Sequence, residues 1–322
     1  MQKNTLRWSL TGVGFILLLL WVIALWWSQE PEIIDIRSQT QSHQTPGYAT
    51  STALLSVTNT LLNKPGGYLS NDVLPPGVLM DNMPAWEFGV LEQVRDMALA
   101  LRKDFSRSQS QSEEDKDLKL AQPQLNIDST SWAWPSAEGE YKKALNAIRS
   151  YRARLIDNNP QDGQFYSRSD NLRDWLKEVE KRLGSTSQKL SASVGKEYFN
   201  VNLAGDASAK GAKLEAPTNN NQTSWWKIDD VFYEARGTAW ALIHFLKAVE
   251  IDFADVLAKK NATVSLRQII RELEATQETI WSPMILNGSG FGFLANHSLV
   301  MANYISRANA ALIDLRELLA QG

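Results

Sequence analysis

The longest uncharged apolar stretch of the chain lies near its N-terminus. Residues 8–27 carry no charged side chain, and their apolar positions cover every face of a helix. Roughly twenty residues at a rise of about 1.5 Å span about 30 Å, the thickness of the hydrocarbon core of a bilayer. Trp8, Trp26 and Trp27 stand at the two ends, where indole rings favour the membrane interface. We therefore predict a transmembrane helix over residues 8–27, with the lipid bilayer as its partner.

The residues on either side of this stretch indicate whether it is cleaved and how it is oriented in the membrane. A cleaved signal peptide would also begin with basic residues, here Lys3 and Arg7, but this apolar run is longer than the usual core of a signal peptide. Its end, residues 24–27, offers no pair of small residues for cleavage, so we predict an uncleaved anchor. The fifteen residues that follow contain three acids and one base. Because basic flanks stay in the cytoplasm, we predict a cytoplasmic tail over residues 1–7 and a periplasmic remainder.

Beyond the anchor, apolar residues recur at intervals of three or four, the spacing of one face of a helix. Alternation with a period of two, typical of half-buried strands, is scarce. A first helix is predicted over residues 48–63, and six stripes begin at these residues: Leu91, Tyr141, Leu172, Val231, Ile269 and His297. Several stripes repeat about every 3.5 residues, as in helices that pack at shallow angles. The pattern predicts an all-α bundle.

Polar stretches divide the predicted bundle into parts. Residues 28–47 are rich in Gln, Ser and Thr and are predicted to form a tether. A second polar stretch, residues 204–224, is predicted to be a linker. It would separate a helical lobe over residues 48–203 from another over residues 225–322.

Composition limits the available chemistry. Without Lys3 and Arg7, the chain keeps 31 basic and 36 acidic residues, a net charge of −5, with no clustered basic patch. We therefore expect no nucleic-acid partner. The absence of cysteine excludes disulfides, thiolate metal sites and cysteine nucleophiles. The histidines His43, His244 and His297 are isolated in the sequence and no cofactor motif occurs, so we predict neither a metal nor a cofactor.

Four carboxylates are the candidates for acid–base chemistry. Asp230 and Glu234 lie one helical turn apart, about 6 Å, and Glu87 and Glu92 are further candidates. Two such groups facing a cleft would suit hydrolysis of a cell-wall glycan. His244 lies ten residues beyond Glu234, about 15 Å along the same helix, and does not share a site with that pair.

The sequence around Gly237 favours a structural role over a ligand site. A glycine inside a helix costs about 1 kcal/mol relative to alanine, and a close helix crossing would explain it. Arg236 falls on the same face as Trp240, so its stem would pack there while its guanidinium pairs with an acid. We predict that Glu234 and Arg236 serve folding through a buried ion pair, with a ligand site at these residues as the alternative.

Three shorter features have plain structural interpretations. Residues 287–293 alternate glycine as nucleotide-binding loops do, but no strand precedes them, so we predict a helix connection. Asn296 or Ser298 would cap the next helix, and His297 would be a hydrogen-bonded core residue on its apolar stripe. The acidic cluster at residues 113–117 lacks the spacing of a calcium loop and is predicted to be solvated.

Two tryptophan pairs lie next to predicted loops. They are Trp132 with Trp134, and Trp225 with Trp226. Aromatic side chains in such places stack on sugars or bind partner proteins, and they also pin loops to a core. Both interpretations stay open at this stage.

Several long runs of the sequence carry a family resemblance. NKPGGYLSNDVLPPGVLMDNMPAWEFGVLEQVRD at residues 63–96, together with residues 106–118, 229–253 and 287–298, resembles an uncharacterised family of proteins anchored in gammaproteobacterial inner membranes. The likeness covers almost the whole chain. It implies a bacterial source, an inner-membrane anchor and a periplasmic domain, and it supplies no catalytic residue.

The anchor, the helical stripes and the lack of a catalytic motif favour a non-enzymatic envelope protein that binds a partner protein or assembles with itself. One alternative is a cell-wall glycan enzyme that uses two carboxylates from Glu87, Glu92, Asp230 and Glu234. Another is a sensor that binds a small periplasmic ligand between the lobes. A tail of only seven residues would carry little signal by itself, which weakens the sensor hypothesis.

Overall fold

Helices make up the regular structure of this protein. The computed structural model describes residues 2–109, 111–157, 159, 162–194, 222–282, 284–289 and 292–321, with side chains from residue 7 onward. Its α-helices are α1 (Gln2–Trp27), α2 (Ile36–Thr40), α3 (Tyr48–Asn63), α4 (Asn82–Ala100), α5 (Lys116–Leu125), α6 (Ala137–Leu155), α7 (Ser169–Ser191), α8 (Ile228–Asp252), α9 (Ala254–Lys259), α10 (Thr263–Ala275) and α11 (His297–Ala320). Among the described residues there is no β-strand, so the all-α prediction is confirmed.

The first helix stands apart from the others. Its segment Arg7–Trp27 is long and apolar enough to cross a membrane, and its apolar side chains are not buried against the rest of the chain. At the end of α1 the partly buried Trp27 packs on the core. The indole lies against Gly66, whose φ of +82° favours glycine. The end of α1 is therefore in contact with the loop that follows α3.

The centre of the bundle is α8. Residues 235–246 are all buried, because α3, α4, α7, α10 and α11 surround the helix. The closest neighbour is α4: a Cβ at Gly237 would clash with the Trp86 carbonyl, and a Cβ at Gly89 would clash with the Glu234 carbonyl. The close crossing predicted at Gly237 is confirmed.

Helices from both predicted lobes share one hydrophobic core. α4 precedes residues 204–224 and packs along α8, which follows them, while α7 packs along α11. Buried side chains from all these helices belong to the same cluster. Most of the predicted linker, residues 204–221, lies outside the described residues.

The N-terminal part of the predicted tether is docked on the bundle. Three contacts join residues 28–35, here called the docked segment, to α8 in register: Glu30 with Arg236, the Glu32 carbonyl with Trp240, and the Ile34 amide with His244. Two extended residues span about 6.6 Å and four helical residues about 6 Å, so the segment runs beside α8 in the same direction. The start of α8 therefore faces α1. Ile36 follows and is fully buried, which a free tether would not allow.

Candidate functional site

Arg236 is a buried side chain that joins three parts of the chain. Its Nε donates to both carboxylate oxygens of Glu30 at 3.0 and 2.9 Å. Its Nη1 donates to the carbonyls of Thr276 and Glu278 at 2.9 and 3.0 Å. Burial raises the pKa of Glu30, and the positive charge of Arg236 opposes that rise. The predicted ion pair of Arg236 exists, but its acid is Glu30 of the docked segment and not Glu234.

His244 holds the docked segment about two turns further along α8. The ring is fully buried, and its Nε2 accepts a hydrogen bond from the Ile34 amide at 2.8 Å. Its Nδ1 therefore carries the proton and donates to the Trp240 carbonyl at 2.6 Å. Burial lowers the pKa of His244 to about 4, so the imidazole is neutral at ordinary pH. Sequence reasoning left this histidine without a role.

A cavity of about 450 Å³ lies beside Arg236, between α8, α11 and the chain that follows α10. Its lining is mainly apolar and includes these side chains: Phe232, Ile280, Trp281, Val300, Met301 and Tyr304. We call it the apolar pocket. Trp281 is 95% exposed and Val300 56% exposed, so both stand at its rim. This pocket was not predicted from the sequence, because its walls come from segments that are far apart in the chain.

His297 contributes a polar group to the same pocket. Its Nδ1 accepts from the Leu286 amide at 3.1 Å, which places the proton on Nε2. The hydrogen bond was predicted, although the ring is only partly buried. Asn296 caps α11 by accepting from the Leu299 amide at 2.8 Å, as predicted. In the preceding turn, Asn287 and Asn296 form a single bridge.

Glu87 is a structural carboxylate. Both its side chain and that of Lys64 are fully buried, and Lys64 Nζ lies 2.6 Å from Glu87 Oε1. The carboxylate also accepts from the backbone amides of Leu69 and Ser70 at 2.8 Å each. Burial raises the pKa of Glu87, while Lys64 acts to lower it. These contacts fold the loop after α3 onto α4, and a carboxylate enclosed in this way has no room for a substrate.

Glu92 and Glu234 belong to a charge cluster between α4, α7 and α8. Glu92 lies 2.8 Å from Arg182, and Glu234 lies 2.7 Å from Lys189. Partial burial raises the pKa of Glu92, and the negative charge of Glu234 adds to the rise. The predicted buried pair at Glu234 is corrected here: its partner Lys189 is about half exposed, so this is a surface ion pair.

Asp230 lies near the start of α8, among other acids. Burial raises its pKa, and the charges of Asp81 and Asp229 raise it further. The four candidate carboxylates have different partners: Glu87 pairs with Lys64, Glu92 and Glu234 each pair with a cation, and Asp230 lies near three other acids, Asp81, Asp229 and Glu234. Within the described chain, none of them lines the apolar pocket.

The two predicted tryptophan pairs are exposed in loops. Trp132 is 65% exposed and Trp134 is 100% exposed, in the loop between α5 and α6. Trp225 and Trp226 are 65% and 79% exposed, directly before α8, with ring centroids 5.1 Å apart. These side chains are largely exposed and do not pin their loops to the core.

The acidic cluster at residues 113–117 was predicted to be solvated, but three of its carboxylates form ion pairs. Asp115 and Asp117 lie 2.8 and 2.7 Å from the mostly buried Arg154, and Glu114 lies 2.7 Å from Arg102. The cluster therefore ties the start of α5 to α6. No group of three or more His, Asp or Glu side chains that suits a metal occurs in the described part of the chain.

Comparison with known proteins gives one assignment. No curated protein and no solved structure matches the chain. A bacterial protein family matches it over residues 1–322, which is its whole length. This agrees with the resemblance carried by the runs at residues 63–96 and 229–253. The chain belongs to DUF2333, a family described as uncharacterised proteins conserved in bacteria.

Proposed function

We propose that this chain is a single-pass protein of the bacterial inner membrane whose helical domain lies in the periplasm and binds a partner protein without catalysing a reaction. The length and apolar character of residues 7–27 support the membrane span. Lys3 and Arg7 before the span and acidic residues after it support a cytoplasmic N-terminus.

The observation that carries the binding role is the apolar pocket. A site lined mainly by apolar and aromatic groups binds apolar matter. Arg236 lines the pocket, but its Nε and Nη1 donate to Glu30 and to two backbone carbonyls. The guanidinium therefore has few donors free to bind a charged ligand. The exposed Trp281 at the rim is a residue type that anchors protein interfaces. The pocket therefore suits an apolar segment of another envelope protein.

The candidate carboxylates favour binding over glycan hydrolysis. A glycosidase places two carboxyl groups on opposite sides of the scissile bond, about 5–9 Å apart. Here Glu87 is enclosed with Lys64, and Glu92 and Glu234 each hold a cation. Carboxylates held in this way serve the packing of α4, α7 and α8.

A photocrosslinking experiment tests the binding role. A photoreactive amino acid at Val300, on the pocket rim, is compared in living cells with one at Leu120, which is 60% exposed on α5. We expect a discrete protein adduct from Val300 and none from Leu120. Ala275→Trp, which fills the pocket, should remove that adduct while circular dichroism confirms an unchanged fold. An adduct of two copies of this chain would identify self-assembly as the binding event. No adduct, or one that survives Ala275→Trp, would contradict the proposal.

A further inference from the structure

The end of the bundle that faces α1 can be recognised from its contacts. The docked segment fixes the direction of α8, so the start of α8 lies toward α1. The loop at residues 64–81 lies at the same end, because Gly66 contacts Trp27 and Asp81 lines a cavity with Trp225 and Trp226. We call this the α1-proximal end.

The exposed tryptophans of the domain gather at this end. Outside α1, five tryptophans are exposed: Trp132, Trp134, Trp225, Trp226 and Trp281. Trp225 and Trp226 precede α8 directly. Trp281 stands beside Arg236, whose partner Glu30 follows the end of α1 by three residues.

The remaining pair is held there through the loop at residues 64–81. Tyr68 Oη donates to the Ser129 carbonyl at 3.1 Å, and the Asn71 amide group donates to the Ser131 carbonyl at 2.9 Å. These bonds bring the loop that carries Trp132 and Trp134 beside the loop that contacts Trp27. The loop at residues 64–81, here called the bridging loop, itself exposes four apolar side chains by between 51% and 77%: Val73, Leu74, Val78 and Leu79.

The described loops at the opposite end of the bundle expose few such side chains. It is marked by Asp252 at the end of α8, which bonds to Thr50 at 2.7 Å and whose carbonyl accepts from Ser167 at 2.8 Å. In the described residues of the loops there, between α4 and α5, α6 and α7, and α8 and α10, Ile156 is the exposed large hydrophobic side chain, at 37%. Val264, 76% exposed at the start of α10, is a further apolar side chain there. The exposed apolar and aromatic side chains of the described loops are therefore concentrated at the α1-proximal end.

We infer that the loops at residues 64–81, 126–136 and 222–227 insert into the interface of the bilayer that α1 spans, so that the domain rests on the membrane, while Trp281 stays at the rim of the apolar pocket. This inference rests on the proposed membrane span. Tryptophan and leucine side chains on loops favour the boundary between headgroups and acyl chains. Because Trp27, the last residue of α1, contacts Gly66, the bridging loop lies next to the end of the proposed membrane span. Contact with the same bilayer therefore needs no further motion of the domain.

The charges at this end specify the kind of membrane contact. In the described loops the cations are Lys227 and the buried Lys64, whereas the acids are Asp72, Asp81, Asp128 and Glu278. An anionic lipid surface would attract clustered lysine and arginine, which these loops lack. The contact is therefore made by apolar insertion, and a zwitterionic bilayer is sufficient for it.

Spin labelling of the full chain in phosphatidylcholine vesicles tests this inference. The chain has no cysteine, so each introduced cysteine carries the only label. Leu74→Cys and Ala133→Cys place labels in two α1-proximal loops. Val264→Cys, 76% exposed near the opposite end, is the control, and Leu18→Cys reports on α1. Collisions with oxygen, which enters the bilayer, are compared with collisions with a water-soluble nickel complex.

We expect the ratio of oxygen to nickel collisions to be several-fold higher at Leu74 and Ala133 than at Val264, and highest at Leu18. The ratios should hold in high salt, because insertion is apolar. Nickel-accessible labels at Leu74 and Ala133 with a protected label at Leu18 would overturn the inference and leave the span intact; the tryptophans would then form a protein-binding surface. A nickel-accessible label at Leu18 would instead overturn the proposed membrane span.

Discussion

The guanidinium of Arg236 contacts three stretches of chain that are distant in the sequence. Glu30 lies 206 residues before it, and Thr276 and Glu278 lie about forty residues after it. Its side chain is 8% exposed and that of Glu30 is 19% exposed. Removing one partner of such a pair leaves the other charge buried without compensation, which destabilises far more than the pair itself stabilises.

We predict that Arg236→Met and Glu30→Gln each destabilise the full chain by about 3 kcal/mol, the lower end for buried pairs because this one keeps some solvent contact. In a protein of this size the melting temperature should fall by about 5 °C. Thermal unfolding followed by circular dichroism in detergent measures this.

Glu234→Gln is the matched control for these two variants. Glu234 lies on the same helix but pairs with the half-exposed Lys189, and surface ion pairs are worth about 0–1 kcal/mol. Its melting temperature should stay close to that of the unmodified chain. If Glu234→Gln lowered the melting temperature as much as Glu30→Gln, the effect of Glu30→Gln could not be assigned to burial of the Arg236 pair. An acid on α8 with an exposed partner would then matter equally for stability.

At the scale of helices, the crossing of α4 and α8 depends on two glycines. A Cβ at Gly237 would meet backbone atoms of Trp86, which no side-chain rotation relieves. Gly237→Ala should therefore push the two helices apart and destabilise the protein by about 1–3 kcal/mol, as overpacking of a core does. Chemical denaturation of the full chain in detergent measures the loss.

Gly184 on α7 provides a control for helix propensity. Its nearest neighbour to an added Cβ is the Asn309 side chain at 3.7 Å, an ordinary contact. Gly184→Ala should stabilise by up to about 1 kcal/mol, since alanine is the better helix former. If both alanines stabilised the protein, a steric role for Gly237 would be excluded.

Helices with a long apolar stripe were predictable from the sequence. The six stripes lie in α4, α6, α7, α8, α10 and α11. The short α5 was missed, because it buries only Leu118, Ala121 and Leu125 and contains Pro123. Periodicity over so few residues does not separate a helix from a polar loop.

Pairing between distant residues could not be predicted in the same way. Sequence spacing reports only neighbours along one helix, so it predicted an acid of α8, Glu234, as the partner of Arg236. Glu30 lay in a stretch whose polar composition indicated a tether. This stretch is docked mainly through backbone groups, the Ile34 amide and the Glu32 carbonyl. Hydrogen bonds of the backbone cannot be predicted from amino-acid composition. The buried ion pair of Lys64 with Glu87 was not predicted for a similar reason. A lysine that follows a helix is normally expected to be exposed to solvent.

At the scale of the whole molecule, the docked segment makes the domain begin before residue 48. A fragment over residues 48–322 would lack Glu30, Ile34 and the buried Ile36. Arg236 and His244 would then lose partners that the structure gives them. The unit that should fold without α1 therefore starts near residue 28, and the path from α1 into the domain has no free linker over residues 28–36.

Because the chain has no cysteine of its own, two single-cysteine variants can test the topology of the whole chain. We predict that Val264→Cys reacts with a membrane-impermeant maleimide in intact spheroplasts, whereas Gln2→Cys reacts only after lysis. The reason is the charge difference across α1, with Lys3 and Arg7 before it and Glu30, Glu32 and Asp35 after it, because basic flanks stay in the cytoplasm. N-terminal sequencing should begin at Met1 or Gln2, since residues 24–27 lack a cleavage site. A sequence that begins after residue 24 would show that α1 is a signal peptide, and labelling of Gln2→Cys before lysis would show that the orientation is reversed.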